Sequence, residues 1–331
     1  MITMAEIARL TQVSQPTVSR VLNGNRAVDP EIRERVLACA REHHYQLNAL
    51  AKSLQGGGTK LLGVIFNDMS NSFFADLAKV TEAKAREHGY SIILFNSDHD
   101  PQRQREYMDI VRRYRVDGML ITPTLRDMAV WRESVGRLEV PAVVVTRQVE
   151  GLDSIYLDHE EAARQVARHL AERGYTRFLF IGRGTDIKFQ GFADELRRIG
   201  LDPAGEADCL EAEDDAGLPQ ALEDWLRRME GNPEGERIGI FANNDLWALR
   251  TLRALRELRV SVPERAGVIG FDDIAMGRWF YPSLSSVSQP IIQMADEAVA
   301  RLIYRIEHPD QPDLPLLDRP MRATLVCRES T

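Results

Sequence analysis

The sequence predicts an α/β protein in two parts, a small all-α head followed by a two-lobed body of doubly wound parallel sheet. Three observations carry that expectation. Residues 1–46 show only the three-to-four-residue apolar spacing of short helices. The triple glycine Gly56, Gly57, Gly58 then breaks the pattern as a linker. Beyond Lys60, short apolar runs alternate with longer amphipathic stretches, which indicates right-handed βαβ units.

In the head, residues 4–10 place Ile7, Ala8 and Leu10 on one side of a first helix. Ser14 can cap a second helix over 15–22, where Pro16 sits at a position whose missing N–H costs nothing, and Val18, Val21 and Leu22 face inward. A third helix follows Asp29 with Pro30 at its first position and Ile32, Val36 and Leu37 as its stripe. Residues 48–55 make a short fourth, ended by the glycines. In the body, 62–66, 91–95, 118–121 and 142–145 read as buried strands, with helices near 73–88, 102–114 and 127–137. A second series has strands at 178–181, 238–241 and 268–271, with helices near 159–173, 188–199, 217–229 and 245–258. These units are too many for one compact sheet. A crossover near 156–160 splits them into two, with a ligand cleft expected at the carboxyl ends of their strands.

Composition bounds the function. The 331 residues are 44% hydrophobic and 28% charged, as in globular proteins, and no run approaches the roughly 18 apolar residues of a membrane helix. The start lacks the pattern of a signal peptide, and Cys39, Cys209 and Cys327 have no metal-ligand spacing, so a cytoplasmic protein with reduced thiols is expected. Net charge is −8, yet residues 1–60 carry +3, which suggests a nucleic-acid partner for the head alone.

The two helices joined by Thr11, Gln12, Val13 and Ser14 have the spacing of a helix-turn-helix. The second exposes Gln15, Pro16, Thr17, Ser19 and Arg20 toward a major groove. A small helical bundle with solvated polar residues is the alternative.

Ile7-Ala8-Arg9-Leu10, Val13-Ser14-Gln15-Pro16-Thr17-Val18-Ser19-Arg20-Val21-Leu22-Asn23-Gly24 and Arg33-Glu34-Arg35-Val36 closely resemble the head of the lac repressor (LacI/GalR) family of bacterial transcription regulators. The resemblance continues through Asn48-Ala49-Leu50-Ala51-Lys52-Ser53-Leu54, similar to that family's hinge helix. It then runs through Gly63-Val64-Ile65, Asn71-Ser72-Phe73-Phe74, Val116-Asp117-Gly118, Asn244-Asp245, Gly270-Phe271-Asp272-Asp273-Ile274 and Ser288-Gln289-Pro290 to Cys327-Arg328-Glu329-Ser330-Thr331.

It implies a helix-turn-helix head with hinge over 1–60 (hinge 48–57) and a periplasmic-binding-protein-like body over 61–331. The lobes would be 61–157 plus 291–320, and 158–290 plus 321–331. Gln15, Pro16 and Arg20 would face bases, with Thr17, Ser19, Asn23 and Tyr45 nearer the backbone. Leu54 would be a minor-groove wedge on a hinge helix that folds on DNA; a buried hinge leucine is the other reading. Gln12 and His44 replace the usual glycines where φ is positive, a cost of about 1 kcal/mol each.

The cleft positions matched are Phe73, Thr146, Arg147, Asp158, Lys188, Asn244, Trp247 and Asp272. Phe73 and Trp247 offer flat apolar faces to a sugar; Asp272, Asn244 and Arg147 offer polar groups to its hydroxyls. Lys188 stands before Gly191-Phe192 where the family usually has Arg, Thr146 stands where it often has Asp, and Asp214 is near a usual aromatic position. Losing an acid beside Lys188 and Arg147 suits a ligand bearing carboxylate or phosphate, unless Asp158 and Asp272 neutralise both cations. A solvated or structural role is the other reading for each residue singly.

Other signals fail on inspection. Gly182-Arg183-Gly184 lacks a third glycine, since Ile187 stands there, and Gly56 to Lys60 lacks P-loop spacing. Asp98-His99-Asp100 reads as a solvated loop, and none of the cysteines has a nearby histidine in a nucleophile pattern. The expectation is thus a ligand-responsive repressor of a carbohydrate or sugar-acid operon, a homodimer on double-stranded pseudo-palindromic operator DNA. Neither cofactor, metal nor membrane is implied. The rivals are a soluble sugar-binding protein of the periplasmic-binding type without a DNA role, and an α/β enzyme, for which no catalytic set is found.

Overall fold

The structure is a computed structural model, and it describes residues 2–22, 27–45, 58–124, 131, 134–136, 139–201, 208–211, 217–228, 236–311 and 314–331. Asn23, Leu54, Asp214 and the expected hinge over 48–57 lie outside the described residues. The chain divides into two compact units, Met1–Thr59 and Lys60–Thr331.

In the first unit, α1 (Met4–Thr11) starts in a capping box between Thr3 and Glu6, which satisfies donors the helix start would otherwise leave unpaired. Gln12 closes it in the left-handed region at φ 52°, and its N–H returns to the carbonyl oxygens of Ala8 and Arg9. α2 (Gln15–Leu22) follows at once, with Ser14 Oγ accepting from Thr17 N at 3.3 Å. α3 (Pro30–Glu42) is capped by the Asp29 carboxylate, which accepts from Glu31 N and Ile32 N. Ile7, Ala8, Val18, Val21, Val36 and Ala40 close the three helices around one small core. His44 takes the left-handed conformation the sequence called for, at φ 49°.

The second unit carries two six-stranded sheets. The first contains β1 (Leu61–Phe66), β2 (Ser91–Asn96), β3 (Gly118–Ile121), β4 (Ala142–Thr146), β5 (Asp153–Leu157) and β11 (Asp318–Met321). Its order is β11-β5-β4-β3-β1-β2, parallel throughout. The second contains β6 (Arg177–Ile181), β7 (Asp208–Leu210), β8 (Ile238–Ala242), β9 (Ala266–Asp272), β10 (Ser285–Ser288) and β12 (Thr324–Val326). Its order is β12-β10-β9-β8-β6-β7, with β12 the antiparallel edge. β8 and β9 are buried at every position, as strands covered on both faces must be.

Helices α4 (Ser72–Glu87), α5 (Pro101–Arg113), α6 (His159–Glu172), α7 (Ile187–Arg198), α8 (Gly217–Arg228), α9 (Asp245–Glu257) and α10 (Ile291–Glu307) supply the covering layers. No helix among the described residues is long and apolar enough to cross a membrane.

The chain passes between the sheets three times: from β5 into α6, from β10 into α10, and from β11 to β12. α10 returns to the first sheet, where Arg301 and Arg305 hold the buried Asp153 of β5 at 2.9 and 2.8 Å. The two guanidiniums keep that carboxyl below its ordinary range although burial pushes the other way.

Candidate functional site

On the head, Gln15, Pro16 and Arg20 are exposed on α2, while Thr17 and Ser19 are half-buried. Thr17 is drawn into the helix start, its hydroxyl 2.8 Å from that of Ser14. Tyr45 is half-buried and packs against the head core, so much of its ring is already occupied. Gln15 and Arg20, and Pro16 between them, remain as one polar face of a short helix. A face of this kind can meet base edges from a major groove.

In the body, the predicted ligand positions fall at carboxyl ends of strands or just after them. Phe73 lies in the first turn of α4 after β1, Thr146 and Arg147 end β4, and Asp158 precedes α6. Lys188 opens α7 after β6, Asn244 and Trp247 begin α9 after β8, and Asp272 ends β9. β1 adjoins β3, and β6 adjoins β8, where the winding of each sheet reverses. Ligands of open α/β sheets lie at such points.

Asp272 is the centre. It is 8% exposed, and its two carboxylate oxygens accept from Gln289 Nε2 at 2.7 Å and from Asn71 Nδ2 at 2.8 Å. Asn71 caps α4 beside the first sheet, whereas Asp272 belongs to the second, so this bond joins the lobes. Burial raises the pKa of Asp272, while Lys188 and the two amides oppose that rise. Lys188 is also 8% exposed; its ammonium donates to the Asn243 carbonyl at 2.6 Å and stands 4.2 Å from the centroid of the Phe271 ring. Burial lowers its pKa, opposed by Asp186 and Asp272. His159 stacks on the same Phe271 ring, centroids 5.5 Å apart, and burial with the nearby Lys188 and Arg147 holds its pKa well below the ordinary value. At neutral pH that imidazole is uncharged.

Arg147 is half-buried, with its pKa lowered by burial and only Asp186 opposing, and among the described residues it forms no ion pair. Thr146 and Asp272 both hold left-handed backbone, at φ 73° and φ 109°, an unfavourable state for a β-branched residue and an aspartate at strand ends. Phe73 is buried edge-on against Phe74. Asn244 spends its side-chain oxygen on Trp247 N at 3.0 Å, and the indole lies under the Arg250 guanidinium. Asp158 is exposed and caps α6 by accepting from Glu161 N at 2.9 Å. The structure thus brings Arg147, Lys188 and Asp272 near one another, with Phe73, Asn244 and Trp247 at neighbouring strand ends and Asp158 employed as a cap.

Sequence reasoning assigned no role to Asn71, Gln289, His159 or Asp186. The first two stood inside the quoted motifs Asn71-Ser72-Phe73-Phe74 and Ser288-Gln289-Pro290, but only the fold reveals Asp272 between them. Gly191 is explained by space: a Cβ there would come 2.5 Å from the Glu160 carbonyl, so α7 can approach α6 closely only with glycine. One expectation is corrected. Cys327 has a histidine partner, His169 of α6, whose Nδ1 lies 3.6 Å from the thiol sulfur. The two are 158 positions apart, and strand β12 brings them together.

Residues 3–48 match the family described as bacterial regulatory proteins, lacI family, and residues 167–331 match the periplasmic binding protein-like domain. The chain is 32% identical over 312 residues to a sucrose operon repressor of Pediococcus pentosaceus, covering 91% of each chain. A periplasmic binding protein/LacI transcriptional regulator from Alkaliphilus metalliredigens QYMF, solved with D-xylulofuranose, is 27% identical with a TM-score of 0.69, over 82% of this chain and 99% of that one. The lac repressor dimer bound to operator and an anti-inducer shares the fold across 100% of this chain and 99% of its own, at 22% identity and a TM-score of 0.85.

Proposed function

Since the chain belongs to the lacI family of bacterial regulatory proteins, we propose that it is a sugar-responsive transcriptional repressor acting in the cytoplasm on double-stranded operator DNA. The observation that carries this is one chain holding both a helix-turn-helix with Gln15, Pro16 and Arg20 exposed and a two-lobed body centred on Asp272. A sugar-binding protein without a DNA role would have no use for the first, and the family of the relatives stands against an enzyme.

Two copies would read a pseudo-palindrome, with Asn23, Thr17, Ser19 and Tyr45 toward the backbone and Leu54 wedged in the minor groove. The effector would bind between the lobes and set, by its preference for one lobe arrangement, whether the heads engage the operator.

For the effector, a neutral sugar fits better than a sugar acid. Lys188 is already engaged by a carbonyl and an aromatic face and balanced by two aspartates. Asp272 accepts only, and Gln289 Oε1, on the amide that holds it, has no hydrogen-bond partner among the described residues. The Gln289 carbonyl oxygen, an acceptor without a donor, calls for a hydroxyl. The specific observation favouring a sugar acid is Arg147, which carries no ion pair among the described residues.

A gel shift on an operator selected from random pseudo-palindromes, repeated with a panel of neutral sugars and sugar acids, tests the reading. Sequence-specific retention that a neutral sugar alters is expected. Retention indifferent to every sugar, or none at all, would overturn it. Calorimetry on Lys188→Met separates the ligand classes: a neutral sugar should bind with little change, an acid with a large loss that salt reproduces.

A further inference from the structure

We propose that Asp245 and Ser286 are positioning residues for the ligand cleft: together they hold the turn Asp272-Asp273-Ile274 in a strained conformation and thereby aim the Asp272 carboxylate across the seam between the lobes. That Asp272 takes an effector hydroxyl rests on the function proposed above; where its carboxylate points does not, and the two are tested apart.

The turn needs holding. Asp272 and Asp273 take left-handed backbone in succession, at φ 109° and φ 52°. Residues other than glycine keep such a state only where their surroundings over-determine it. Here the next two amides are captured by side chains. Asp273 N donates to Ser286 Oγ at 3.0 Å, and Ile274 N donates to Asp245 Oδ2 at 2.7 Å. Ser286 Oγ in turn donates to Asp245 Oδ1 at 2.6 Å, so the two side chains act as one clamp on consecutive N–H groups. The Asp273 carboxylate is tied as well, to Arg328 and, at 3.2 Å, to Arg278. Asp272 is the acid of this turn left to reach the other lobe, and it accepts there from Asn71 at 2.8 Å.

The surroundings are shaped for the clamp. Asp245 is 1% exposed and Ser286 0%. Gly270 stands two residues before Asp272 on β9 and pairs with Ser286 of β10. A Cβ on Gly270 would come 2.0 Å from Asp245 Oδ1, so the strand leaves open the space that this carboxyl fills. An acid in the first turn of α9 also suits the helix dipole, but one serving only that purpose would stay in solvent. Asp245 is instead buried against a neighbouring turn, and burial pushes its pKa up to about 8.

Asn71 reports on the aim of Asp272. It bonds that carboxylate from the other lobe and shares no hydrogen-bond partner with Ser286 or Asp245 among the described residues. The test is urea unfolding of the full chain at pH 6 for the parent, Asn71→Ala, Ser286→Ala and the double variant. Ser286→Ala removes one oxygen and leaves the bond from Ile274 N to Asp245, so it should unfold cooperatively. Asn71→Ala should then change the unfolding equilibrium constant several-fold less in the Ser286→Ala background than in the parent, beyond the roughly two-fold scatter of independent sites. A clamp that merely adds stability would leave the effect of Asn71→Ala the same in both. Asp245→Asn, which at pH 6 has the shape of the protonated acid and an acceptor for Ile274 N, should retain the full effect of Asn71→Ala.

An Asn71→Ala effect equal within about two-fold in the parent and in Ser286→Ala overturns the proposal. So does a Ser286→Ala chain that does not unfold cooperatively, because the pair then upholds the whole lobe and not the aim of one side chain. An Asp245→Asn background in which Asn71→Ala has lost its effect overturns it too. No sugar or operator enters the assay, so each result stands whether or not Asp272 binds the effector.

Discussion

Asn71 and Asp272 stand 201 positions apart in the chain and 2.8 Å apart in space, one beside each sheet, joined by a hydrogen bond through which the two lobes meet. The acceptor is a buried carboxylate, so the bond is charge-assisted and its loss is costly.

Asn71→Ala should therefore destabilise the body by about 1–3 kcal/mol, the cost of leaving a buried acceptor without one of its donors. Urea denaturation followed by tryptophan fluorescence measures it. Asp272→Asn should instead keep the fold and reduce sugar affinity at least about ten-fold, since an acceptor-only group becomes half donor facing two amides. An Asp272→Asn protein that binds its sugar normally would remove Asp272 from the site.

Asp245 gives a pH dependence. It is 1% exposed, receives Ser286 Oγ at 2.6 Å and Ile274 N at 2.7 Å, and is pushed up to about 8, burial outweighing both bonds. A pKa raised in the folded state means that the folded chain holds this proton while the unfolded chain has lost it. The contribution to stability is complete below about 4 and declines as pH rises through about 8. Thermal melts from pH 5 to pH 9 should show Asp245→Asn losing less stability over that range than the parent; identical slopes would contradict the assignment.

Arg20 is exposed on α2 with no counterpart in the head core. If it reads guanine, Arg20→Ala should cost about 1–3 kcal/mol on the selected operator and leave binding to random duplex nearly unchanged. Equal weakening on both, with a shallower salt dependence, would reduce it to a phosphate contact.

Trp279 and Tyr281 are 80% and 86% exposed, next to the exposed Met276 and Phe280. Four large apolar side chains in six residues make a patch that a lone copy would leave in water, as sites of association do. If two copies pair through this patch, Tyr281→Asp should shift the protein toward monomer in sedimentation and weaken retention on a pseudo-palindrome, while leaving sugar affinity within about two-fold. A variant that sediments like the parent would exclude this patch as a contact between copies.

The strands with four or more consecutive apolar residues were legible in the sequence, because burial on both faces writes itself as an uninterrupted run. β5 (DSIYL), β10 (SSVS) and β11 (DRPM) were not: their positions are held by the crossings and by Asp153, with little apolar signal of their own. Positive φ was legible at Gln12 and His44, which stand where a known pattern has glycine, and hidden at Thr146 and Asp272, where side chains at a strand end keep the strain. That Thr146, Lys188 and Asp272 stand at or just after strand ends was legible singly. Their assignments to one another were not, since Asn71, Gln289 and Asp272 meet only after two sheets have formed, and Cys327 meets His169 only across an edge strand.

The three passages of chain between the sheets have a kinematic consequence. Two plates joined by a single strap can swing in any direction or part altogether. Joined by three straps side by side, they keep essentially one soft motion, a twist and pinch about the straps, and sliding or separation is blocked. Any ligand gripping both plates is thereby converted into rotation about one axis, and a single proteolytic cut within one strap would slacken that axis without releasing either plate.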